Sequence, residues 1–113
     1  MVETHPPRDA AGRALALVGL GMHGGLVVPG VEGTRALLQR GKCHVVMMAR
    51  DLSPRARKKV ELLALAKQVP VVVGPGAELI GERLGRPPVM VVGVRDRKLA
   101  AGILAAIASG DRT

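Results

Sequence analysis

The residues best suited to chemistry in this chain are its cations. Between Gly30 and Val60 stand Arg35, Arg40, Lys42, Arg50, Arg55, Arg57, Lys58 and Lys59, opposed only by Glu32 and Asp51. Guanidinium and ammonium groups at this density attract polyanions, phosphate backbones above all. Four of them, Arg55, Arg57, Lys58 and Lys59, directly follow Ser53-Pro54, a pair that starts helices with a side-chain cap and a preset φ. The positive end of a helix dipole disfavours each such cation by roughly 0.3–1 kcal/mol. A local conflict of this kind marks a site with a use for the charge. A merely solvated face is the plain alternative. Upstream, Pro29-Gly30-Val31-Glu32-Gly33-Thr34 opens another helix with two glycines. Free amides at a helix start attract phosphate and glycine permits close approach. A strand-to-helix turn that needs glycine accounts for it equally well.

Catalytic patterns are missing. His5, His23 and His44 are scattered. Cys43 has no base partner, and in a strand it and His44 point to opposite faces. The carboxylates Glu32, Asp51, Glu61, Glu78, Glu82 and Asp96 read as caps or solvated faces. No metal and no cofactor are expected, because ligands at workable spacing are lacking. Gly19-Leu20-Gly21-Met22-His23-Gly24 spells the dinucleotide-binding glycine pattern. That pattern needs a strand before it, a helix after it and an acid about 20 residues on. Here a helix precedes it, Pro29 cuts the strand that follows, and no acid lies near residue 44. A helix end with a flexible turn is the better reading.

Charge and composition narrow the target. The 113 residues carry a net charge of +8 and contain no Phe, Tyr or Trp. Modules that stack single-stranded bases on aromatic rings are therefore excluded. What remains is a folded or double-helical nucleic acid recognised by shape, charge and backbone contacts. A lone cysteine fits a reducing compartment. The first ten residues lack the apolar stretch of a leader, and no run reaches the roughly 18 apolar residues of a membrane helix. The expected location is the cytoplasm.

The elements that must position these residues alternate. Residues 1–9 read as a disordered tail, residues 10–108 as one domain and 109–113 as a second tail. Helices are expected over 10–22, 31–40, 54–68, 77–84 and 98–108. Strands are expected over 25–28, 44–49, 71–73 and 89–94. Gly41 and Gly85 end helices, and Ser53 and Asp96 begin them. The helix after Pro54 should bury Ala56, Val60, Leu63 and Ala66 or Lys67, and the last helix Leu99, Ile103, Leu104 and Ile107. Strands apolar on both faces are covered on both faces. The expected fold is α/β, a three-layer α/β/α sandwich around a small mixed sheet of about four strands.

Gly30 and Gly41, followed in register by Ala49-Arg50-Asp51-Leu52-Ser53-Pro54, resemble the kink-turn-binding ribosomal proteins. That family joins the large-subunit proteins seven-Ae and thirty-e to small bacterial members, and the chain resembles the YlxQ type among them. Val69-Pro70-Val71 and Ile80-Gly81-Glu82-Arg83-Leu84-Gly85-Arg86 extend the match, which spans roughly residues 12–108. The resemblance implies an RNA-binding protein, not an enzyme, that grips a sharply bent RNA loop. The partners implied are structured RNA, ribosomal or regulatory, and the ribosome or its proteins; no membrane or small-molecule substrate is implied. Carried over, the binding surface comprises Gly30, Val31, Glu32, Gly33, Thr34 and Arg35, then Arg50 to Ser53, then Arg86, Pro87, Pro88 and Val89. The basic residues Arg40, Lys42, Arg55 and Lys58 join it on charge. The chain departs from the family at Glu32 and Gly33, the positions of the guanine-reading pair, and at Ala36, where a lysine is usual. The rival reading keeps the fold and makes it a protein-interaction module of the ribosome or the transcription-translation machinery.

Overall fold

A computed structural model describes the backbone of residues 3–4 and 8–110 and the side chains of residues 10–108. The elements run β1 (Glu3–Thr4), α1 (Arg8–His23), β2 (Val27–Pro29), α2 (Val31–Gln39) and β3 (Val45–Met48). They continue with α3 (Pro54–Ala66), β4 (Val71–Val73), α4 (Ala77–Leu84), β5 (Val91–Val94) and α5 (Arg97–Gly110). The expected tails at 1–9 and 109–113 lie largely outside the described residues. Where they are described they carry structure: Glu3–Thr4 pairs with Val71 and Val72, α1 starts at Arg8, and α5 reaches Gly110. The sequence offered no sign of this pairing, because a two-residue edge strand has no hydrophobic period to display.

The sheet is mixed, in the order β1-β4-β3-β5-β2. β4 is parallel to β1 and β3, while β5 is antiparallel to β3 and β2. The four expected strands are present, with β1 added at the edge. Successive strand residues point to opposite faces, and here each face has its own helical cover. Val45, Met47, Val72, Val92 and Val94 meet α1, α4 and α5. Val46, Met48, Val71, Val73 and Val91 meet α2 and α3. Side chains such as Met47, Leu38 and Ile103 are fully buried, and each contributes about 1.5–3 kcal/mol by leaving water. The fold is the three-layer sandwich.

Helix ends follow the expected chemistry. Ser53 Oγ accepts from the Ala56 amide at 3.3 Å, with Pro54 in the first turn. Asp96 Oδ2 accepts from Leu99 at 2.8 Å and starts α5. Gly41 and Gly85 follow α2 and α4 with φ of +70° and +69°. Inside α3 the buried positions are Val60 and Ala64, with Ala56 and Leu63 half-buried; Ala66 and Lys67, expected inward, are exposed. The glycine-rich run 19–24 lies mostly inside α1 rather than in a turn. A Cβ on Gly21 would collide with Leu99 of α5, and one on Gly19 would stand 2.9 Å from Arg83 Cγ of α4. These glycines let α1 press against both neighbours.

One strained position ends α3. Gln68 adopts φ of +58°, the only non-glycine in the left-handed region among the described residues. That conformation costs an L residue roughly 1–2 kcal/mol, and glycine is its usual occupant after a helix. Replacing Gln68 with Gly is expected to stabilise the protein by about 0.5–1 kcal/mol in urea unfolding, part of the gain being offset by the freer unfolded chain. No gain would show that the side chain of Gln68 compensates the strain.

Candidate nucleic-acid interface

Strand direction gathers the candidate residues at one end of the sheet. β2, β3 and β4 end there, and antiparallel β5 begins there. Gly30 donates to the Val91 carbonyl at 2.7 Å, Ala49 to Met90 at 2.7 Å, and Arg50 to Pro75 at 3.2 Å. The start of α2, the start of α3, the turn into α4 and the loop 86–90 therefore surround a single rim.

Gly30 makes the first corner. Its φ of +98° and ψ of 155° suit only glycine. No side chain caps α2, so its first-turn amides keep their hydrogen-bonding capacity. Next to it, Val31, Glu32, Arg35, Ser53, Arg55 and Lys59 line a shallow groove of about 230 Å³ between the starts of α2 and α3. Three cations thus converge where two helix dipoles present their positive ends. Glu32 is 89% exposed and pairs with Arg35 at 3.6 Å, a surface pair of the kind worth at most about 1 kcal/mol.

Asp51 holds the rim together. Its Oδ1 accepts from the Ala77 amide at 2.9 Å, supplying to α4 the cap that Gly76 cannot. Losing such a cap costs about 0.5–2 kcal/mol. The carboxylate that precedes the cationic run of α3 thus serves a different helix. On its far side a wider, open hollow of about 940 Å³ contains Arg50 together with Asp51, Glu78 and Glu82. Three carboxylates against one cation give that hollow the wrong sign for phosphate.

Not every expected residue reaches the rim. Arg40 and Lys42 sit past the other end of α2, where His44 donates to Val94; a whole helix separates them from Gly30. Lys58 is exposed on the outer face of α3, outside the groove. Thr34 is fully buried, its Oγ1 donating to the Val28 carbonyl at 3.4 Å. Gly33 faces the sheet: a Cβ there would stand 2.5 Å from Val28 Cγ1, so its role is to seat α2 on β2. Val89 is 6% exposed and donates from its amide to Ala77. Its neighbours take the surface position, with Arg86, Pro87 and Pro88 exposed and Met90 at 39%. Lys59, singled out above only as one cation after Pro54, lines the groove because helical spacing sets it four positions from Arg55 on one side of α3. Met90 also stands at the rim, and motif matching passes over it.

Cys43 is buried and donates to the Val45 carbonyl at 3.4 Å; burial pushes its thiol pKa up and keeps it protonated at neutral pH. Among the described residues no three His, Cys, Asp or Glu side chains gather as a metal site, and no helix is long and apolar enough to cross a membrane.

The pattern of the ribosomal protein L7Ae/L30e/S12e/Gadd45 family matches residues 15–102, most of the chain. The protein belongs to that family. Its fold is shared by solved structures of the same architecture. A Bacillus halodurans C protein of unknown function superposes with a TM-score of 0.81 at 25% identity, covering 85% of this chain and 97% of its own. A Giardia lamblia 15.5kD RNA binding protein superposes with a TM-score of 0.80 at 19% identity, covering 94% and 91%. In this L7Ae/L30e-type chain the family segments Ala49-Arg50-Asp51 and Ile80-Gly81 have structural explanations. Asp51 caps α4, and a Cβ on Gly81 would run into the Pro87 carbonyl.

Proposed function

We propose that this protein binds structured RNA of the kink-turn kind, as a cytoplasmic ribosomal or translation-associated factor of the small YlxQ type. The observation that carries the reading is the rim itself. Arg35, Arg55 and Lys59 converge beside the uncapped start of α2, and Pro87, Pro88 and Met90 stand exposed across it. A sharply bent duplex offers clustered phosphates to the first group and splayed bases to the second. Family membership and the fold shared with an RNA binding protein support the same reading.

Recognition is by shape and charge. Val28 closes position 33 to a side chain, so the base-reading reach of the α2 start is short. Binding rather than catalysis suits the reactive groups too: Asp51 and Asp96 are engaged as caps and Cys43 is a buried thiol.

The test titrates the protein with a kink-turn RNA and a straight duplex of equal length at several salt concentrations. The kink-turn is expected to bind about tenfold tighter or more, with a salt slope of several counterions for both RNAs. Equal affinity would overturn kink-turn recognition, and no binding of either at low salt would overturn RNA binding.

A further inference from the structure

The groove uses one side of α3 and leaves its outer face unexplained. That face carries Lys58, Leu62, Leu65 and Ala66, with Arg55 and Lys59 of the groove along its edge, all within about a third of the helix circumference. Leu62 is 57% exposed and Leu65 49%. They are two of five large apolar side chains left in water among the described residues, and the only two on one helix. The opposite charge is withdrawn from this face: Glu61 is 26% exposed and held by Arg57 at 3.4 Å. The result is an apolar pair beside Lys58, bordered by the groove cations Arg55 and Lys59.

We propose that the outer face of α3 docks an acidic amphipathic helix of a protein partner. Leu62 and Leu65 would enter its apolar stripe while Lys58 meets its carboxylates. Charge complementarity selects this occupant, since the face presents cations around leucines and no free acid. RNA phosphates would use the cations and leave both leucines in water. A lipid surface would gain two leucine side chains, less apolar surface than one myristoyl chain, which by itself anchors only marginally. A second copy of this face would set its cations against like charge. Helix-in-groove and helix-on-helix recognition read such i, i+3 anchors directly.

The experiment uses the full chain, labelled with nitrogen-15. The probe is a capped peptide of roughly 18 residues, long enough for helicity, built from Leu, Ala and Glu with leucines at i, i+3, i+4 and i+7. Amide shift changes confined to α3 and its neighbours are expected, weakening with salt. A peptide with Lys in place of Glu is expected not to bind. Leu62→Ser/Leu65→Ser should weaken the acidic peptide about tenfold or more, and Lys58→Glu about fivefold, both with cooperative thermal unfolding retained and unchanged affinity for the kink-turn RNA.

Absent shifts, shifts centred elsewhere, or equal binding of the basic peptide would overturn the proposal. So would loss of RNA affinity in the leucine variant, which would assign the face to RNA. Vesicles of phosphatidylserine and phosphatidylcholine perturbing these amides where the peptide does not, or a dimer in sedimentation that the leucine variant abolishes, would replace the partner helix by lipid or by a second copy.

Discussion

Gly81→Ala is expected to destabilise the protein by about 2–3 kcal/mol, at the upper end of what overpacking costs. In an ordinary helix the same substitution would help, since glycine is about 1 kcal/mol less favourable than alanine. The neighbour decides the sign. An added Cβ would meet the Pro87 carbonyl oxygen and lie 2.7 Å from the carbonyl carbon of the same residue. That backbone cannot swing aside freely. Arg86 donates to the Gly81 carbonyl at 2.8 Å, and Val89 to Ala77 at 2.9 Å, pinning the loop on both sides. Relief must come from moving the loop, so Pro87, Pro88 and Met90 shift with it and RNA affinity falls as well. Gly12→Ala is the control, because nothing lies within 4 Å of a Cβ there and α1 simply gains propensity, by about 0.5–1 kcal/mol. Denaturant unfolding of the two variants measures both. Wild-type stability in Gly81→Ala would mean that the loop does not rest on α4.

Arg55→Ala/Lys59→Ala is expected to lower the salt slope of RNA binding by about two counterions, one for each phosphate no longer neutralised. At physiological salt the affinity should fall by roughly an order of magnitude. Arg40→Ala/Lys42→Ala removes the same formal charge from the other end of α2 and should leave the slope nearly unchanged. The pair of variants separates a localised interface from the general attraction of a chain with net charge +8. Equal effects in both would mean that charge acts only at long range. Glu32→Gln releases Arg35 from its 3.6 Å pairing and removes a carboxylate from the groove. It is expected to tighten RNA binding by a few-fold, which titration at fixed salt would register.

Much of this molecule follows from local chemistry, where cause and effect lie within one turn of helix or one strand. Ser53-Pro54 and Asp96 start helices by capping amides three residues on, and Gly41 and Gly85 end them by adopting the left-handed region. Val45-Val46-Met47-Met48 reports a strand buried on both faces, and the layered fold follows from repeating that pattern. The cations after Pro54 were equally legible, along with the absence of any aromatic ring to stack on a base.

Which of those cations work together was decided only by tertiary structure. Arg40 and Arg55 are alike in sequence terms, yet strand direction puts one at each end of the sheet. Thr34 and Val89 are surface-type positions by motif and buried in fact, because contacts with Val28, six residues back on the sheet, and Ala77, twelve residues back, draw them inward. Asp51 caps a helix 26 residues away, and Gly81 is required by a carbonyl in the following loop. A sequence states charge, period and capping on its own, since these act between near neighbours. Convergence depends on which strands pair and which way they run, and that is set by the packing of the whole chain.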